Sequence, residues 1–545
     1  MENKLKIGFL IDNLEINDLD QEIIYHIDQK NICEKYVILN QVIPKPSLNF
    51  YIKKFSFIRI VEKLLIKGIH LFEKKVLYSF VNYKYEFKKI DKSYFFKNII
   101  NLSPIISEKR LYYDYSNKDL EIVKKQNLDV IIRLGSGIIK GEMLNTPKFG
   151  IYSFHHGDNK IFRGGPPGFW EVYYKKNSTG FVIQKLNNIL DGGKILFRGL
   201  VETKSFYYLN KISIYKNSAK YLSLVLSNLQ NDQLRFFDSE IDNSKIYKDP
   251  KFYEIIKYLF NTYFYFLKKF ISRKFFKKRI RWFVSFKKSE NIHQIQLNNF
   301  NVIKNNDKDR FLADPFVIEK DGKNFVFVED FYFSKNKGII SCFEIKNEGY
   351  KFIGTAIKEN FHLSFPYIFK YKNKIFMCPE SHENKDIRLY ESKKFPLQWE
   401  LSKILIKNIS AVDSIIFEKD KLWWLVTSIS TSSNVDFNEL NIFYSDNGPV
   451  TDKWTPHKLN PITVNSKIAR NGGVIFQDNK IFRIAQKNSF NLYGNKFSIN
   501  EIKILDKENY KEEVLKNINP DFIKGIKGTH HLHNNKNFFV NDFCL

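Results

Sequence analysis

The sequence predicts two domains of different class, an α/β domain with a mostly parallel sheet followed by an all-β domain of repeated four-stranded units. Three observations carry this expectation. A chain of 545 residues is too long for one ordinary core. Up to about residue 205 it alternates short apolar runs with helix-period stretches. From about residue 280 it changes to short strand-like runs at regular spacing.

The first elements follow in order. Lys6 to Asp12 holds a short continuous apolar run, as a parallel strand buried on both faces would. Asp20 to Ile27 has helical spacing, and Tyr36-Val37-Ile38-Leu39 is the next strand. Residues 52–100, Lys-rich and aromatic with helical periodicity, are expected to be an inserted helical segment. Asp129 to Leu134 is a further buried strand, closed by a turn at Gly135-Ser136-Gly137. This βαβ order places ligands beyond the carboxyl ends of the strands.

After about residue 205 the pattern is helical, and 251–288 is the most biased stretch of the chain. It holds twelve Lys or Arg against one acid, Glu254, interleaved with aromatics. A solvated connector, a membrane-surface helix drawn to anionic lipid and a nucleic-acid contact all remain open for it. Beyond it, Asn324–Val328, Lys374–Met377, Leu422–Val426 and Lys480–Ile484 each follow a polar turn. Their spacing of roughly 50 to 60 residues is that of propeller blades, and about 265 residues make five. The expected domains are 1–240, a basic helical connector at 241–279, and 280–545.

Composition narrows the class. With 43% hydrophobic and 27% charged residues the chain is globular, neither disordered nor fibrous. A net charge of +28 attracts anionic partners such as sugar nucleotides or a phospholipid face, although a coding bias toward Lys, Asn and Ile discounts part of it. Without an RNP, zinc-finger or helix-turn-helix signature, nucleic acid is not expected as a partner. Four cysteines lie far apart with no CxxC spacing, which argues against a disulfide framework or structural zinc. The apolar run before Asp12 is too short for a signal peptide. Tyr258–Leu267, fenced by Lys257 and Lys268, is too short to span a bilayer. A cytoplasmic protein is expected.

The chemistry-bearing motif is Gly150-Ile151-Tyr152-Ser153-Phe154-His155-His156-Gly157, then Arg163-Gly164, then Leu190-Asp191-Gly192-Gly193. An apolar strand running into a His places a titratable ring at the mouth of a parallel sheet. A carboxylate brought to the same edge would stabilise the imidazolium formed when that ring takes a proton. Asp191 could instead cap a turn, and His155-His156 could bind metal, but no third ligand stands at useful spacing. No metal is expected.

These residues resemble the folate-dependent formyltransferases, which include methionyl-tRNA formyltransferase and the sugar N-formyltransferases. The likeness covers roughly residues 1–205 and is specific from 129 to 200. It implies an α/β Rossmann-like formyltransferase domain that uses 10-formyltetrahydrofolate as formyl donor. His155 falls on the catalytic His, Asp191 on the catalytic Asp and Arg163-Gly164 on the Arg-Gly turn at the substrate. Leu134, Gly135, Gly137, Ile138 and Ile139 fall on the loop whose backbone holds the pterin ring. One departure matters: Ser153 stands where the family has Asn, whose amide donates to the formyl oxygen. Losing such a donor costs about 2.7–4 kcal/mol of transition-state stabilisation. Lys160 also stands where the family usually has Pro.

In the second domain, acids precede successive blade strands: Leu312-Ala313-Asp314-Pro315, Cys378-Pro379-Glu380 and Ala411-Val412-Asp413. In a propeller they would converge on the central channel, where rings of carboxylates bind sugars and suitable pairs hydrolyse glycosidic bonds. Turn-capping at strand starts is the plainer reading. The region resembles the N-terminal propeller of plant glucosamine inositolphosphorylceramide transferases, itself similar to five-bladed glycoside hydrolases. Arg470-Asn471-Gly472-Gly473, Arg483 with Gln486, Tyr493-Gly494 and Gly528-Thr529-His530 carry this likeness. It implies an all-β five-bladed propeller with Asp314 as a general base, Glu380 as the best candidate acid and Asp413 at the substrate. His530-His531 and His533 are assigned to the closing blade.

Together these expectations describe formyl transfer to an amine of an amino-sugar nucleotide or glycan precursor. The alternative is a glycan-binding or glycosidase-like propeller carried with a degenerate formyltransferase domain.

Overall fold

In the computed structural model the opening apolar run forms strand β1 (Leu5–Ile11), buried along nearly its whole length. The structure describes residues 4–41, 56–108, 111–135, 137–158, 160, 162–189, 192–237, 246–274, 279–347, 349–432 and 436–545. They divide into two units, Met1–Lys268 and Lys269–Leu545.

In the first unit β1 lies inside a seven-stranded sheet. On one side it pairs with β2 (Cys33–Asn40), which pairs with β3 (Ile99–Leu102). On the other it pairs with β4 (Val130–Arg133) and, through it, β5 (Ile151–His155). These five strands run parallel. Then β6 (Ser178–Lys185) and β7 (Lys194–Glu202) add antiparallel to the β5 edge. Gly8 permits the close packing at the sheet centre, since a Cβ there would lie 2.8 Å from Leu128 and 2.9 Å from Ile38.

Helix α1 (Asp18–Asp28) follows β1 and is capped by Asn17, whose side chain accepts from the Asp20 N–H at 3.0 Å. Helices α2 (Phe57–Lys75), α3 (Tyr207–Ser218), α4 (Tyr221–Gln230) and α5 (Phe252–Lys274) complete the principal elements. Two expectations need correction. The segment 52–100 is not wholly helical, because Ile99–Leu102 supplies the edge strand β3, whose four residues are too few to show a period. The basic stretch 251–288 is not one helix either: α5 ends at Lys274, and Trp282–Lys288 is a strand with Val284 and Phe286 fully buried.

Among the described residues the second unit is built from five antiparallel sheets. Their inner strands are β8 (Arg310–Lys320), β9 (Ser364–Tyr371), β10 (Ala411–Lys419), β11 (Asn471–Gln477) and β12 (Leu532–Asn534). Each packs against the next, and β12 packs against β8. The sheet containing β12 joins both ends of the unit, because Trp282–Lys288 pairs antiparallel with Phe538–Cys544. Apolar side chains of adjacent sheets, including Phe316, Phe365, Ile415 and Val474, merge into one core.

Four inner strands share one irregularity. The ladder skips two residues after Ala313, Ser364, Val412 and Asn471. The first skipped residue is left-handed in three of them, with φ of 50° at Asp314, 45° at Phe365 and 54° at Asp413. Such a bulge kinks the strand and re-aims a side chain. Here it turns Asp314 and Asp413 out of the sheet alternation.

Candidate functional site

Each unit carries its own cavity. The first holds about 380 Å³ at the carboxyl ends of β1, β4 and β5, beside the start of α1. Asp12, Glu15, Asp20 and Arg133 give it its charge, and Leu134, Gly135, Ser153, Phe154 and His156 give it its wall. Arg133 grips Asp12 with two hydrogen bonds of 2.8 Å, and Asn40 donates to the same carboxylate at 2.8 Å. Gly135 makes room for this pair, since a Cβ there would lie 2.3 Å from Arg133 Nη1 and 2.4 Å from Asp12 Oδ2. Burial, opposed by the Arg133 charge, pushes the Asp20 carboxyl up to about 7.

The expected residues divide. Leu134, Gly135 and Ser153 line the cavity, with the Ser153 hydroxyl donating to the Phe154 carbonyl at 3.4 Å. His155 ends β5, half-buried, with Nε2 close beside Gly157 rather than among the lining groups. Asp191 lies outside the described residues. Gly137, at φ 89°, packs on the Tyr113 ring, and Ile138–Ile139 pairs with Tyr112–Asp114. The Leu134 and Ile138 amides donate to Leu10 and Leu111 carbonyls at 3.0 and 2.9 Å, so they are committed to the fold. Arg163 and Gly164 are not in the cavity wall: their backbone pairs with Ile246–Tyr247, and a Cβ on Gly164 would lie 2.1 Å from the Tyr247 carbonyl.

His156 is the wall residue the motif reading left in second place. It stacks on Phe154 at 5.4 Å and lies 3.2 Å from the Ser218 hydroxyl. Burial and the neighbouring His155 push it down to about 3, so it stays neutral. Gln184 is a neighbour of this wall that does not itself line the cavity. It stands opposite Ser153 in the β5–β6 register, and its buried side-chain oxygen has no hydrogen-bond partner among the described residues.

The second cavity, about 410 Å³, lies within the second unit. Asp314, Glu329, Glu380 and Arg470 share it with His362, His382 and His530, and Trp282, Phe331, Phe437 and Tyr493 form aromatic walls. Asp413 reaches the cluster through Arg470, which donates to it twice, at 2.7 and 3.0 Å. The guanidinium also lies 5.1 Å from the Tyr493 ring. His530 stands between Asp314, at 3.0 Å, and Asp542, at 3.2 Å. Burial opposes its charge, but the two carboxylates win and hold it up at about 10. Asp314, His530 and Asp542 are close enough together to hold a metal ion, which would have to displace the proton that the two carboxylates keep on His530.

The expectation for Glu380 changes. Burial disfavours its charge, but a 2.8 Å hydrogen bond with His382 and the charges of His382, Arg470 and His362 together outweigh this and hold it below the usual carboxyl range. Glu329 goes the other way: burial and the charges of Asp314 and Glu380 raise it far above that range. Glu329 is therefore the proton-bearing carboxyl and Glu380 the ionised one. A repeat alignment would have found it, because Glu329 pairs with Ala313 as Glu380 pairs with Ser364. Burial pushes Asp413 up to about 7 despite Arg470.

Residues 297–536 match the family model described as glucosamine inositolphosphorylceramide transferase 1, N-terminal. The glucosamine inositolphosphorylceramide transferase 1 of Oryza sativa subsp. japonica is 40% identical over 208 residues, covering 37% of this chain and 27% of that protein. The methionyl-tRNA formyltransferase of Ehrlichia ruminantium (strain Welgevonden) is 31% identical over 123 residues, covering 22% of this chain and 37% of that protein. A solved sugar N-formyltransferase from a Shewanella species matches at a TM-score of 0.28 and 14% identity, covering 47% of this chain and 88% of that one. The chain thus spans only about a quarter of the length of the curated plant relatives it matches. It combines similarity to the N-terminal region of glucosamine inositolphosphorylceramide transferases with similarity to methionyl-tRNA formyltransferases.

Proposed function

We propose that the protein is a transferase that moves a formyl group from 10-formyltetrahydrofolate to an amine on an amino sugar or glycan precursor, and that its second unit is a five-bladed propeller that selects the glycan. The observation that carries the reading is the first cavity: Ser153 and Leu134–Gly135 meet three carboxylates at the carboxyl edge of a parallel sheet. Carboxylates attract an amine and repel a phosphate, which favours the amine-bearing part of an acceptor there. The formyl donor supplies an activated acyl carbon. His155, which ends β5 beside the cavity wall, would turn its ring toward the cavity to take the proton that the amine loses as its nitrogen bonds to that carbon, and return it to the departing nitrogen. Asp191 steadies the imidazolium. Ser153, whose hydroxyl can donate, lines the cavity where the reacting carbonyl would be oriented.

The cyclic packing of five inner strands, with both ends of the unit in one sheet, supports the propeller. Its aromatic walls offer faces for sugar rings, and its carboxylates and histidines offer partners for hydroxyls. Four free thiols fit a cytoplasmic location. A second reading is favoured by Ser153 itself: without the amide donor the first unit would bind ligand and not turn it over.

Calorimetry with 5-formyltetrahydrofolate tests the donor site. Micromolar binding lost in Leu134→Trp supports it, and absence of binding by folded wild-type protein sinks formyl transfer. Transfer to amino-sugar nucleotides should fall at least about 100-fold in His155→Ala. It should rise about 100-fold in Ser153→Asn. Folate binding with no transfer in either wild type or Ser153→Asn would establish the binding-only reading.

A further inference from the structure

Helices α2 and α5 of the first unit carry their polarity reversed. Each has a helical apolar stripe, and on both helices much of that stripe faces solvent. On α2, Phe57, Ile58, Leu64, Leu71 and Phe72 are exposed, Phe57 to 79%. On α5 the exposed series is Phe252, Ile256, Phe260, Phe264 and Leu267, spaced by three or four residues along one side. Phe260 and Phe264 stack at 5.5 Å and are 67% and 58% exposed.

The acids of these helices point the other way. Glu62, Glu73 and Glu254 are every acid that α2 and α5 contain, and all three are buried. Glu62 and Glu73 hold the two helices together, while Glu254 caps its own helix by accepting from the Lys251 N–H at 2.7 Å. Glu62 accepts from the Phe252 N–H at 2.8 Å, and Glu73 accepts from the Tyr258 hydroxyl at 2.5 Å. Phe72 meets the Tyr263 ring at 5.5 Å. The outward side therefore carries no carboxylate of either helix, whereas Lys67, Lys74, Lys257 and Lys268 are exposed among its aromatics and leucines. A water-facing pair of helices would show the opposite arrangement.

We infer that the exposed apolar and lysine-bearing side of α2 and α5 docks on an anionic phospholipid surface. The charge complementarity chooses the occupant. Aromatic and aliphatic side chains enter the headgroup–acyl boundary while interleaved lysines reach acidic headgroups. A self-association surface of the same kind would bring these lysines against one another with no carboxylate of either helix to meet them. Neither helix is long and apolar enough to cross the membrane, so the docking is interfacial. The strand Trp282–Lys288 of the basic stretch is paired within its own sheet. The inference does not depend on formyl transfer.

The test is sedimentation of the full chain with vesicles of phosphatidylcholine alone and of phosphatidylcholine with phosphatidylserine. Binding should need phosphatidylserine and weaken with salt. Replacing Lys67, Lys74 and Lys268 together by Gln should lower affinity roughly 100-fold, about fivefold for each charge. Phe260→Ser with Phe264→Ser should abolish binding while the circular dichroism and melting temperature stay those of wild type, because both rings are exposed. In Phe260→Trp the emission should shift to the blue on adding anionic vesicles. No binding to phosphatidylserine vesicles at low salt would overturn the inference. So would Phe260→Ser with Phe264→Ser converting a dimer to a monomer and leaving lipid binding unchanged.

Discussion

Replacing Arg470 by Met removes a cation from a cavity that holds several carboxylates. Asp413, 2% exposed, loses two hydrogen bonds of 2.7 and 3.0 Å and is left facing the charges of Glu380 and Asp314. Breaking a buried pair from one side is costly, and Asp413 escapes part of that cost by taking up a proton. From a carboxyl at about 7, one pH unit adds about 1.4 kcal/mol by pH 8 to the lost hydrogen bonding, a deficit of about 3 kcal/mol and a fall of roughly 6 °C in melting temperature for a domain of this size. The loss should depend on pH. The Asp413 carboxyl already sits at about 7, above its ordinary 3.8, because burial disfavours its charge. A raised carboxyl makes the folded state less stable above its folded pKa, and that penalty fades as pH falls toward the unfolded value. Without Arg470 proton uptake begins at still higher pH, so near pH 5.5 the orphaned group is neutral and the deficit shrinks to about 1–2 kcal/mol of lost hydrogen bonding. Scanning calorimetry of wild type and Arg470→Met at both pH values measures it. A deficit under about 1 kcal/mol near pH 8, or one equal at both pH values, would refute the picture of Arg470 holding a buried charge.

Two further outcomes are expected. Gly135→Ala puts a methyl group 2.3–2.4 Å from Arg133 and Asp12, so it should open that pair and weaken ligand binding in the first cavity at least about tenfold by calorimetry. Gly349→Ala, which meets nothing within 4 Å, should leave binding unchanged and is the control. Glu73→Leu strands the Tyr258 hydroxyl and the Tyr208 N–H, and should cost about 2–4 kcal/mol in urea unfolding. Burial holds Glu73 at about 7, so wild-type stability should rise as pH falls from there toward 4.5, and Glu73→Gln should remove that slope.

Much of the fold was legible where packing leaves a local mark. Strand β1, helix α1 and β4 were each visible as a buried run or a period, because a strand covered on both faces must be continuously apolar. The regular spacing of Asn324–Val328, Lys374–Met377 and Leu422–Val426 likewise marked repeated sheets. The edge strand β3 was hidden by its length, and Trp282–Lys288 by its basic surroundings. Site residues were legible only as far as motifs reach. Ser153 and Leu134 were found in the first cavity wall, and Asp314 and Glu380 in the second. Arg163 and Gly164 were drawn to the first site by the likeness to the formyltransferase Arg-Gly turn, but the Gly164 turn commits them to Tyr247.

The sequence by itself determined the two classes of domain, the position of the His-bearing strand and the acids Asp314 and Asp413 on the inner strands, whereas Glu380, expected ahead of a strand, ends one. Each is written in neighbouring residues, as a period, a motif or a turn. Only the tertiary structure decided which carboxyl keeps its proton, because Glu329 and Glu380 differ in what faces them and not in where they stand along their strands. It also decided which side of α2 and α5 meets solvent. Hydropathy assigns their apolar stripes to the interior, but Glu62 and Glu73 find partners on the neighbouring helix and turn those stripes outward. Charge and burial are sums over residues distant in sequence, and no local pattern contains them.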